Sequence, residues 1–347
     1  MRTSKAICLF IAVLFFSSSS SYTQAVDSVG SVGIFDLLIS KNFTEIDVKA
    51  DLSMLIKNKL ASDEYIQGKF TYETKDGVQQ TLPMRIKCRG RFRRLKCEFP
   101  PLKLKFKKDD LAAHGLNEFN EMKLVTHCMG EKEVSRDLVI RELLAYKIFN
   151  ILSENSLRAQ LVKVNYLNTG GRPKKMKGWG ILIEDSDELA YRMKGEKFWR
   201  MGIPVDSFDL RQEQITAMFN YMIGNADWSS HMARNLEFIK TGDRIKIVPY
   251  DFDFAGMVMA PYAVPNADVG QQLLTDRVYL GHDHPEAIMA ETIQHFRDKK
   301  SAVLNKVKET KLLTPVARKE VYDYLESFFN TINNEEKAYE VISGSKD

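Results

Sequence analysis

Hydrophobic and polar residues alternate through much of the first half of the chain, with the two-residue period of β-strands. Residues 65–73 and 81–87 alternate on either side of Lys75-Asp76-Gly77, a turn signal, and this predicts a β-hairpin. Further strand-like runs lie at residues 102–106, 122–126, 160–167 and 177–184. The first half is therefore expected to be rich in β-structure, after a short helix or extended segment at residues 34–39.

The second half has a helical pattern. A broad apolar face with helical spacing first runs through residues 133–153, within the β-rich half. Similar patterns then cover residues 187–193, 210–223, 288–307 and 315–332, whereas residues 257–285 read as loop. One more hairpin, with arms at residues 236–239 and 245–248, interrupts the helices at the turn Thr241-Gly242-Asp243.

The first 25 residues have the pattern of a signal peptide. Arg2 and Lys5 precede an apolar run at residues 6–16, and a small polar stretch ends in Thr23-Gln24-Ala25. The apolar run is too short to span a bilayer comfortably, so cleavage near Ala25 is preferred to a retained signal anchor. The chain is therefore expected to be exported to the periplasm, the cell surface or the medium, without a transmembrane span in its mature form.

Composition and charge narrow the classes of function. With 347 residues and 44% hydrophobic content, the chain can bury a sizeable core. Loss of Arg2 and Lys5 with the signal peptide lowers the formal net charge from +4 to +2. A nearly neutral chain has no overall nucleic-acid footprint, and no nucleic-acid partner is expected.

Three cysteines remain once Cys8 leaves with the signal peptide. In an exported protein Cys88 and Cys97 can pair across a strand-loop connection, which leaves Cys128 free. Buried free thiols are an equally ordinary outcome. The spacing of the three does not match a zinc motif.

Polar side chains gather in the loops at the two ends of the last hairpin. Asp227 and Asn235 precede its first arm, and Asp251 and Asp253 follow its second. Because a hairpin brings its ends together, the four side chains are expected to face one space. Their oxygens are hard ligands of the kind that hold Mg²⁺ against phosphate, and the order Asp, Asn, Asp is typical of phosphoryl transfer. The alternative is a surface hairpin with ordinary Asx turns.

A basic loop at residues 89–94 begins with Arg89 and Gly90. Guanidinium groups grip phosphate bidentately, so the loop suits a phosphate or an acidic substrate. The alternative is a solvated basic loop without a ligand.

Lys123, in a predicted strand, and Glu142, on the following predicted helix, form a second candidate pair. A strand lysine that holds nucleotide phosphates, oriented by a helix glutamate, is an arrangement found in kinases. Lys103 and Lys105 on the preceding strand are alternatives to Lys123.

Glu184 ends the predicted strand at residues 177–184, just before the predicted helix at residues 187–193. A strand, an acidic connector and a helix follow one another where a kinase connects its lobes and pairs its backbone with adenine. The alternative is a helix N-cap at Asp185 or Ser186. His282 and His284 lie in a loop, where such residues are more often solvated than bound to a metal.

Together these features resemble the CotH-like atypical kinases, relatives of spore-coat kinases with a protein-kinase-like fold. The likeness covers roughly residues 80–260, and its most specific part is GNADW…N…PYDFD, which contains Asp227 to Asp253. It implies an α+β, protein-kinase-like two-lobe fold. The β-rich N-terminal lobe would occupy residues 48–185, after a segment at 26–47, and the mainly helical C-terminal lobe residues 186–347.

The resemblance also implies a reaction and its residues. The reaction is phosphoryl transfer from ATP to a hydroxyl group of a protein or other acceptor, with Mg²⁺. Asp227 would be the catalytic aspartate, and the metal would be held by Asn235, Asp251 and Asp253. ATP would be bound by Lys123 or Lys105, Glu142, Arg89 and Glu184. Where the family's arginine-glycine loop continues with asparagine and small hydroxyl residues, this chain has Arg91-Phe92-Arg93.

Two other classes of function compete with the kinase. A non-catalytic envelope or surface binding module is favoured by the divergent arginine loop and by the scarcity of ATP outside the cytoplasm. A metal-dependent phosphohydrolase would use Asp251 and Asp253 with Asp227, but the chain lacks the histidine-rich ligands usual for two-metal hydrolysis.

Overall fold

A closed β-barrel forms the first part of the fold. The computed structural model describes residues 32–128 and 131–343, so the predicted signal peptide lies outside the described residues. Within the described residues, seven strands close the barrel in the order β1-β2-β3-β4-β5-β7-β6. They are β1 Thr44–Ala50, β2 Ile66–Glu73, β3 Gln79–Cys88, β4 Leu102–Phe106, β5 Glu121–Val125, β6 Ala159–Asn168 and β7 Lys175–Ile183.

The barrel closes through one parallel pair of strands. Strand β1 is antiparallel to β2 and parallel to β6, so Val48 lies between Phe70 and Tyr166. All other neighbouring pairs in the barrel are antiparallel. Because successive side chains of a strand point to opposite faces, every second residue fills the barrel interior, as Leu82, Met84 and Ile86 of β3 do. The predicted hairpin of residues 65–87 is present as β2 and β3.

Helices surround the barrel and continue beyond it. Five lie among or beside the barrel strands: α1 Ile34–Leu38, α2 Leu52–Lys57, α3 Arg91–Lys96, α4 Lys108–Ala113 and α5 Lys132–Leu152. The rest are α6 Ser186–Arg192, α7 Leu210–Ile223, α8 Glu286–Glu309, α9 Pro315–Asn333 and α10 Glu335–Ser343. A second sheet has the order β10-β9-β8, with β8 Glu196–Phe198, β9 Leu236–Thr241 and β10 Arg244–Pro249. Within the described residues no helix is both long enough and apolar enough to cross a membrane.

The predicted protein-kinase-like two-lobe fold is wrong, although the α+β class is correct. The β-rich part is a closed barrel of mixed strand direction. The helical part shares a hydrophobic core with it. Adjacent residues of β6 show this: Val162 packs inside the barrel, whereas Leu161 joins a core that includes Phe219 of α7 and Phe328 of α9. Closure depends on β1 pairing with a strand far away in the chain, and local alternation of polar and apolar residues does not reveal such a pairing.

The disulfide bond also differs from the expected one. It joins Cys97 to Cys128, and Cys88 is a free buried thiol. An isolated β-bridge between Phe99 and Cys128 holds the two segments side by side. Cys88 faces the barrel interior, where burial raises the pKa of its thiol to about 11. Spacing along the chain could not select this pair, because the two cysteines meet only once β4 and β5 have paired.

Loss of the disulfide should lower the free energy of unfolding. Opening the link across 31 residues releases chain entropy in the unfolded state worth about 3–4 kcal/mol. Urea titration of the double variant Cys97→Ser/Cys128→Ser against the parent measures the change. Cys88→Ser is the control, since it alters a buried cysteine and leaves the disulfide intact. Peptide mapping without reduction that finds Cys88 linked to Cys97 would contradict the pairing.

Candidate functional site

The loop after α7 presents Asp227 in a fixed orientation. Helix α7 ends at Gly224, whose φ of 66° is left-handed and suits glycine. The Asp227 backbone N–H then donates to the side-chain oxygen of Asn225 at 3.1 Å. Asn235 donates through its side-chain amide to the Asp227 carbonyl at 2.6 Å and to Asp227 Oδ2 at 3.0 Å. The two ends of this loop are thereby tied together around the aspartate.

The loop after β10 lies directly against the loop before β9. The Tyr250 backbone N–H donates to the Asn235 carbonyl, and the Gly256 N–H donates to the Gly224 carbonyl, both at 3.0 Å. Strands β9 and β10 pair antiparallel over their whole length, as their predicted turn requires. The structure therefore brings the Asp227 loop and the Asp251–Asp253 loop together.

A buried arginine in α3 contacts three carboxylates. Arg93 Nε donates to Asp253 Oδ2 at 2.6 Å, and Nη2 donates to Asp251 Oδ1 at 3.0 Å. Nη2 also lies 3.0 and 2.9 Å from the two oxygens of Glu142 on α5. Arg93 is only 5% exposed. One guanidinium thus joins α3, α5 and the loop after β10.

Neighbouring contacts hold Arg93 and Asp251 in place. Phe92, beside Arg93, packs edge-on against Phe254 with ring centroids 5.1 Å apart. Asp251 has a left-handed φ of 65°, which is strained for a residue other than glycine. Its backbone N–H donates to the hydroxyl oxygen of the buried Tyr146 at 3.0 Å, and this contact stabilises the unusual conformation.

The carboxylates around Arg93 exceed its charge. With all three ionised, the group of Arg93, Glu142, Asp251 and Asp253 carries two surplus negative charges. Burial and, to a smaller extent, the two aspartates raise the pKa of Glu142 to about 7, against the lowering effect of Arg93. Burial also disfavours the charged form of Arg93, but the carboxylates outweigh this effect and raise its pKa. Arg93 therefore stays charged, and Glu142 is the group that can take up a proton near neutral pH.

Asp227 is influenced by the same surplus of charge. Burial is the main reason that its pKa is raised to about 6, and Asp253 and Asp251 contribute, against the lowering effect of Arg234. Arg234 Nη1 lies 3.5 Å from Asp227 Oδ1, and about a third of the Asp227 side chain is exposed, 34%. Asp227 is therefore a carboxyl group with access to solvent that titrates close to neutral pH.

Lys123 has a different partner from the one expected. Its ammonium donates to Glu237 on β9 at 2.7 Å and lies 4.4 Å from the ring centre of Tyr250, whereas Glu142 is bound by Arg93. Burial lowers the pKa of Lys123, with Glu237 opposing. The lysine–glutamate pairing inferred from the chain order is therefore wrong, since Arg93 takes the place beside Glu142.

The other residues predicted to bind nucleotide have partners or surroundings outside the Arg93 group. Lys105 on β4 pairs with Glu121 at 2.7 Å. Glu184 is fully buried and accepts hydrogen bonds from Arg158 and Arg192, so it braces the β7–α6 connection. Arg89 lines an open basic groove of about 560 Å3 next to α3.

A small cavity lies between Lys123 and the β7–α6 connection. It has a volume of about 220 Å3 and is lined by Lys103, Glu121, Met122, Lys123, Glu184, Asp185, Ser186, Lys197 and Glu237. Pockets that enclose a drug-sized ligand usually measure roughly 300–1,000 Å3. In this conformation the cavity is therefore smaller than a whole nucleotide would need.

The donor set suits a metal shared with a ligand better than an all-protein metal site. Among the described residues there is no group of three or more His, Cys, Asp or Glu side chains arranged to hold a metal ion. Mg²⁺ is typically bound by one or two carboxylates together with phosphate oxygens and water. Asp251 and Asn235 offer oxygens beside the Asp227 loop, and the Asp251 side chain is 26% exposed. These residues fit an ion of that kind.

The two loop histidines are each engaged by a neighbour. His282 Nε2 lies 2.8 Å from the Ser230 hydroxyl, and His284 Nε2 contacts Glu213. Both contacts are internal to the fold, and His284 is buried, whereas these loop histidines were expected to be solvated.

Arg93 is the central residue that sequence reasoning missed. The sequence predicts one basic loop at residues 89–94, but residues 91–96 form helix α3, with Arg91 exposed and Arg93 buried. No pattern within six mostly basic residues distinguishes the two. The only available signal was the excess of acidic residues at Asp251 and Asp253, which requires a basic partner once it is buried.

Comparison with known proteins gives distant structural likeness without a sequence match. No family model matches the chain, and no curated protein matches it. Among solved structures, the chain is similar to the Shewanella oneidensis MR-1 toxin–antitoxin complex of HipA, HipB and operator DNA, with 12% sequence identity and a TM-score of 0.33. The alignment covers 85% of this chain and 74% of that chain. A likeness this distant does not indicate a function, which has to be inferred from the site itself.

Replacing Glu142 by glutamine should change how stability depends on pH. The pKa of Glu142 is 4.5 in the unfolded reference and about 7 in the fold, so between these values the native protein holds a proton that the unfolded chain releases. Stability therefore falls as pH rises through this window, by at most about 1.4 kcal/mol per pH unit. The Glu142→Gln variant should lack this part of the slope.

Urea unfolding at a series of pH values measures both slopes. Glu121→Gln is the control, because the pKa of Glu121 is shifted in the opposite direction. Hydrogen bonds from Lys103 and Lys105 outweigh burial and lower this pKa, so the contribution of Glu121 to stability is lost as pH falls. Identical slopes for the parent and Glu142→Gln between pH about 4.5 and 7 would contradict the raised pKa of Glu142.

Proposed function

We propose that this chain transfers a phosphoryl group from ATP to a hydroxyl group of a protein or other acceptor, with Mg²⁺. The observation that carries the proposal is the convergence of Asp227, Asn235, Asp251 and Asp253 beside a buried arginine that carries less charge than they do. Phosphoryl transfer needs positioned groups and charge neutralisation more than covalent chemistry. The site offers side chains held in position and charged groups for neutralisation.

Asp227 is assigned the role of base toward the acceptor hydroxyl. Its carboxyl is partly exposed, and its pKa of about 6 leaves it mostly ionised at neutral pH yet able to take a proton. The hydrogen bond from Asn235 to Oδ2 fixes the carboxylate plane and leaves Oδ1 on the side of Arg234. A hydroxyl group can approach there.

Asp251 and Asn235 would hold Mg²⁺, with Asp253 assisting. The ion, when bound, would neutralise charge on the transferred phosphate. Arg93 holds Asp251 through Oδ1 and Asp253 through Oδ2, so the second oxygen of each carboxylate lies outside these contacts. With Glu142 ionised the group has two surplus negative charges, and with Glu142 protonated it has one, so a bound divalent cation would offset the charge of either form.

Nucleotide binding is assigned to Lys123 and Arg89 first. Arg89 and Asp251 both act electrostatically on Lys123, Arg89 lowering its pKa and Asp251 raising it. Lys105 remains an alternative, and Glu142 would act through Arg93. Glu184 would support the connector next to the small cavity. Export through residues 1–25 belongs to the same proposal.

A non-catalytic binding module is the second candidate. Arg93 already satisfies one oxygen each of Asp251 and Asp253, and a site neutralised in this way can be stable without a metal. In that case the basic groove at Arg89 would bind an acidic partner directly. Nucleotide binding distinguishes the two candidates.

Mg²⁺ and ATP together should raise the melting temperature of the protein. A ligand present at 100 times its Kd stabilises the native state by about 2.7 kcal/mol, which corresponds to about 5 °C for a chain of this size. The shift should disappear in Asp251→Asn, which removes a ligand charge. Asp243→Asn, at the exposed turn of the same hairpin, is the matched control and should keep the shift.

An assay of transfer of the terminal phosphate distinguishes a loss of catalysis from a loss of nucleotide binding. Asp227→Asn should retain the thermal shift but lose transfer to acceptor by about 100-fold or more, since it keeps the shape and removes the base. The absence of any shift in the folded parent at saturating Mg²⁺ and ATP would remove the kinase proposal and favour the binding module.

A further inference from the structure

A second and larger pocket lies away from the candidate site. Its volume is about 810 Å3, and it is bordered by β6, β7, the first turns of α5 and the Cys97–Cys128 disulfide. None of its lining residues belongs to the Arg93 group or to the hairpin loops. The volume is within the range of roughly 300–1,000 Å3 that encloses small-molecule ligands.

The floor of this pocket is apolar and aromatic. It includes Ile56, Phe99, Met176 and Trp179, together with the disulfide at Cys128. Phe99 and Tyr166 pack with ring centroids 4.6 Å apart, so Tyr166 helps to hold the Phe99 ring in place. Such a floor favours the hydrocarbon or aromatic body of a ligand.

The rim is strongly basic. Five basic side chains, Lys132, Arg136, Lys163, Lys175 and Lys177, face two acidic ones, Glu98 and Glu133. Two of the five are already paired, Arg136 with Glu133 at 3.4 Å and Lys163 with Glu45 at 3.0 Å. In the part of the chain that the structure describes, the other three have no carboxylate within ion-pair distance. The rim therefore has an unmatched positive charge.

His127 adds a polar group to the wall. Its ring stacks on Phe99, and its Nδ1 atom is buried with no hydrogen-bond partner among the described residues. Burial lowers the pKa of His127, so the ring is neutral at pH 7 and can donate or accept a hydrogen bond. Gly178 packs against this edge of the ring, because a Cβ there would lie 2.4 Å from Nδ1.

We propose that this pocket binds an anionic amphiphile, a molecule with an apolar body and one carboxylate or phosphate head. The body would lie on Phe99, Met176 and Trp179. The head would lie at the unpaired lysines, Lys132, Lys175 and Lys177. An anionic head would be attracted by the positive charge of the rim, and an apolar body would cover the apolar floor. This inference is independent of the proposed phosphoryl transfer.

Calorimetric titration with three probes of equal chain length tests the proposal. Laurate and dodecyl phosphate, below their micellar concentrations, should bind with one site per chain, and dodecyltrimethylammonium should bind at least tenfold more weakly. The double variant Lys175→Glu/Lys177→Glu should weaken laurate binding at least tenfold. Lys69→Glu/Lys75→Glu, at exposed lysines elsewhere on the barrel, is the matched control and should bind as the parent does.

A second variant addresses the apolar floor. Met176→Trp fills part of the pocket without a change of charge and should also weaken laurate at least tenfold, with circular dichroism showing that each variant is folded. Flotation with phosphatidylglycerol vesicles distinguishes a membrane lipid from a free acid as the source of the anionic head. Flotation that the lysine variant abolishes assigns a lipid, and laurate binding without flotation assigns a free acid.

Three results would overturn the proposal. They are no heat of binding with either anionic probe at each of two well-separated temperatures, since apolar burial changes the heat capacity, equal affinity for the cationic probe, and equal weakening in the Lys69→Glu/Lys75→Glu control.

Discussion

The contact of Arg93 with Glu142, Asp251 and Asp253 is the constraint on which the candidate site depends. These carboxylates come from the middle of a helix and from a loop more than a hundred residues later in the chain. Without a central cation they would repel one another in a buried space. Removal of one partner from a buried ion pair usually costs about 3–5 kcal/mol, although forming it from solvated groups gains little. The group therefore acts mainly to position its members.

The elements of the site could be predicted from the sequence, but its central contact could not. The hairpin of β9 and β10 follows from the turn at Thr241-Gly242-Asp243, and its geometry brings Asp227 and Asp251 into one region. Helix α5 follows from its apolar spacing. These are local signals, and they identify the loops that carry the polar side chains.

Pairings between segments far apart in the chain could not be predicted from such local signals. The barrel closes through β1 and β6, the disulfide joins Cys97 to Cys128, and Arg93 rather than Lys123 reaches Glu142. Each pairing is selected by the three-dimensional packing of segments whose local patterns allow several partners. The expectation of a kinase-like two-lobe fold failed for this reason, since alternating strands are equally compatible with an open sheet and with a closed barrel.

Helix α5 borders both the candidate site and the large pocket. Its first turn lies at the rim of the large pocket, and Glu142, further along the same helix, contacts Arg93. Its apolar face packs between the barrel and α7, so the two regions share one rigid support. The two surfaces differ in charge: the rim of the pocket is basic, and the Arg93 group has surplus negative charge. The rim is therefore expected to attract an anion directly, and the Arg93 group a divalent cation.

A double-mutant cycle between Arg93 and Asp253 tests the central claim most directly. The free energies of unfolding of the parent, Arg93→Met, Asp253→Asn and the double variant give the coupling between the two side chains. The buried 2.6 Å contact predicts a coupling of about 2 kcal/mol or more, whereas the more exposed pair of Lys87 and Asp63 should give less than about 1 kcal/mol. A coupling between Arg93 and Asp253 no larger than that of the exposed pair would contradict the account.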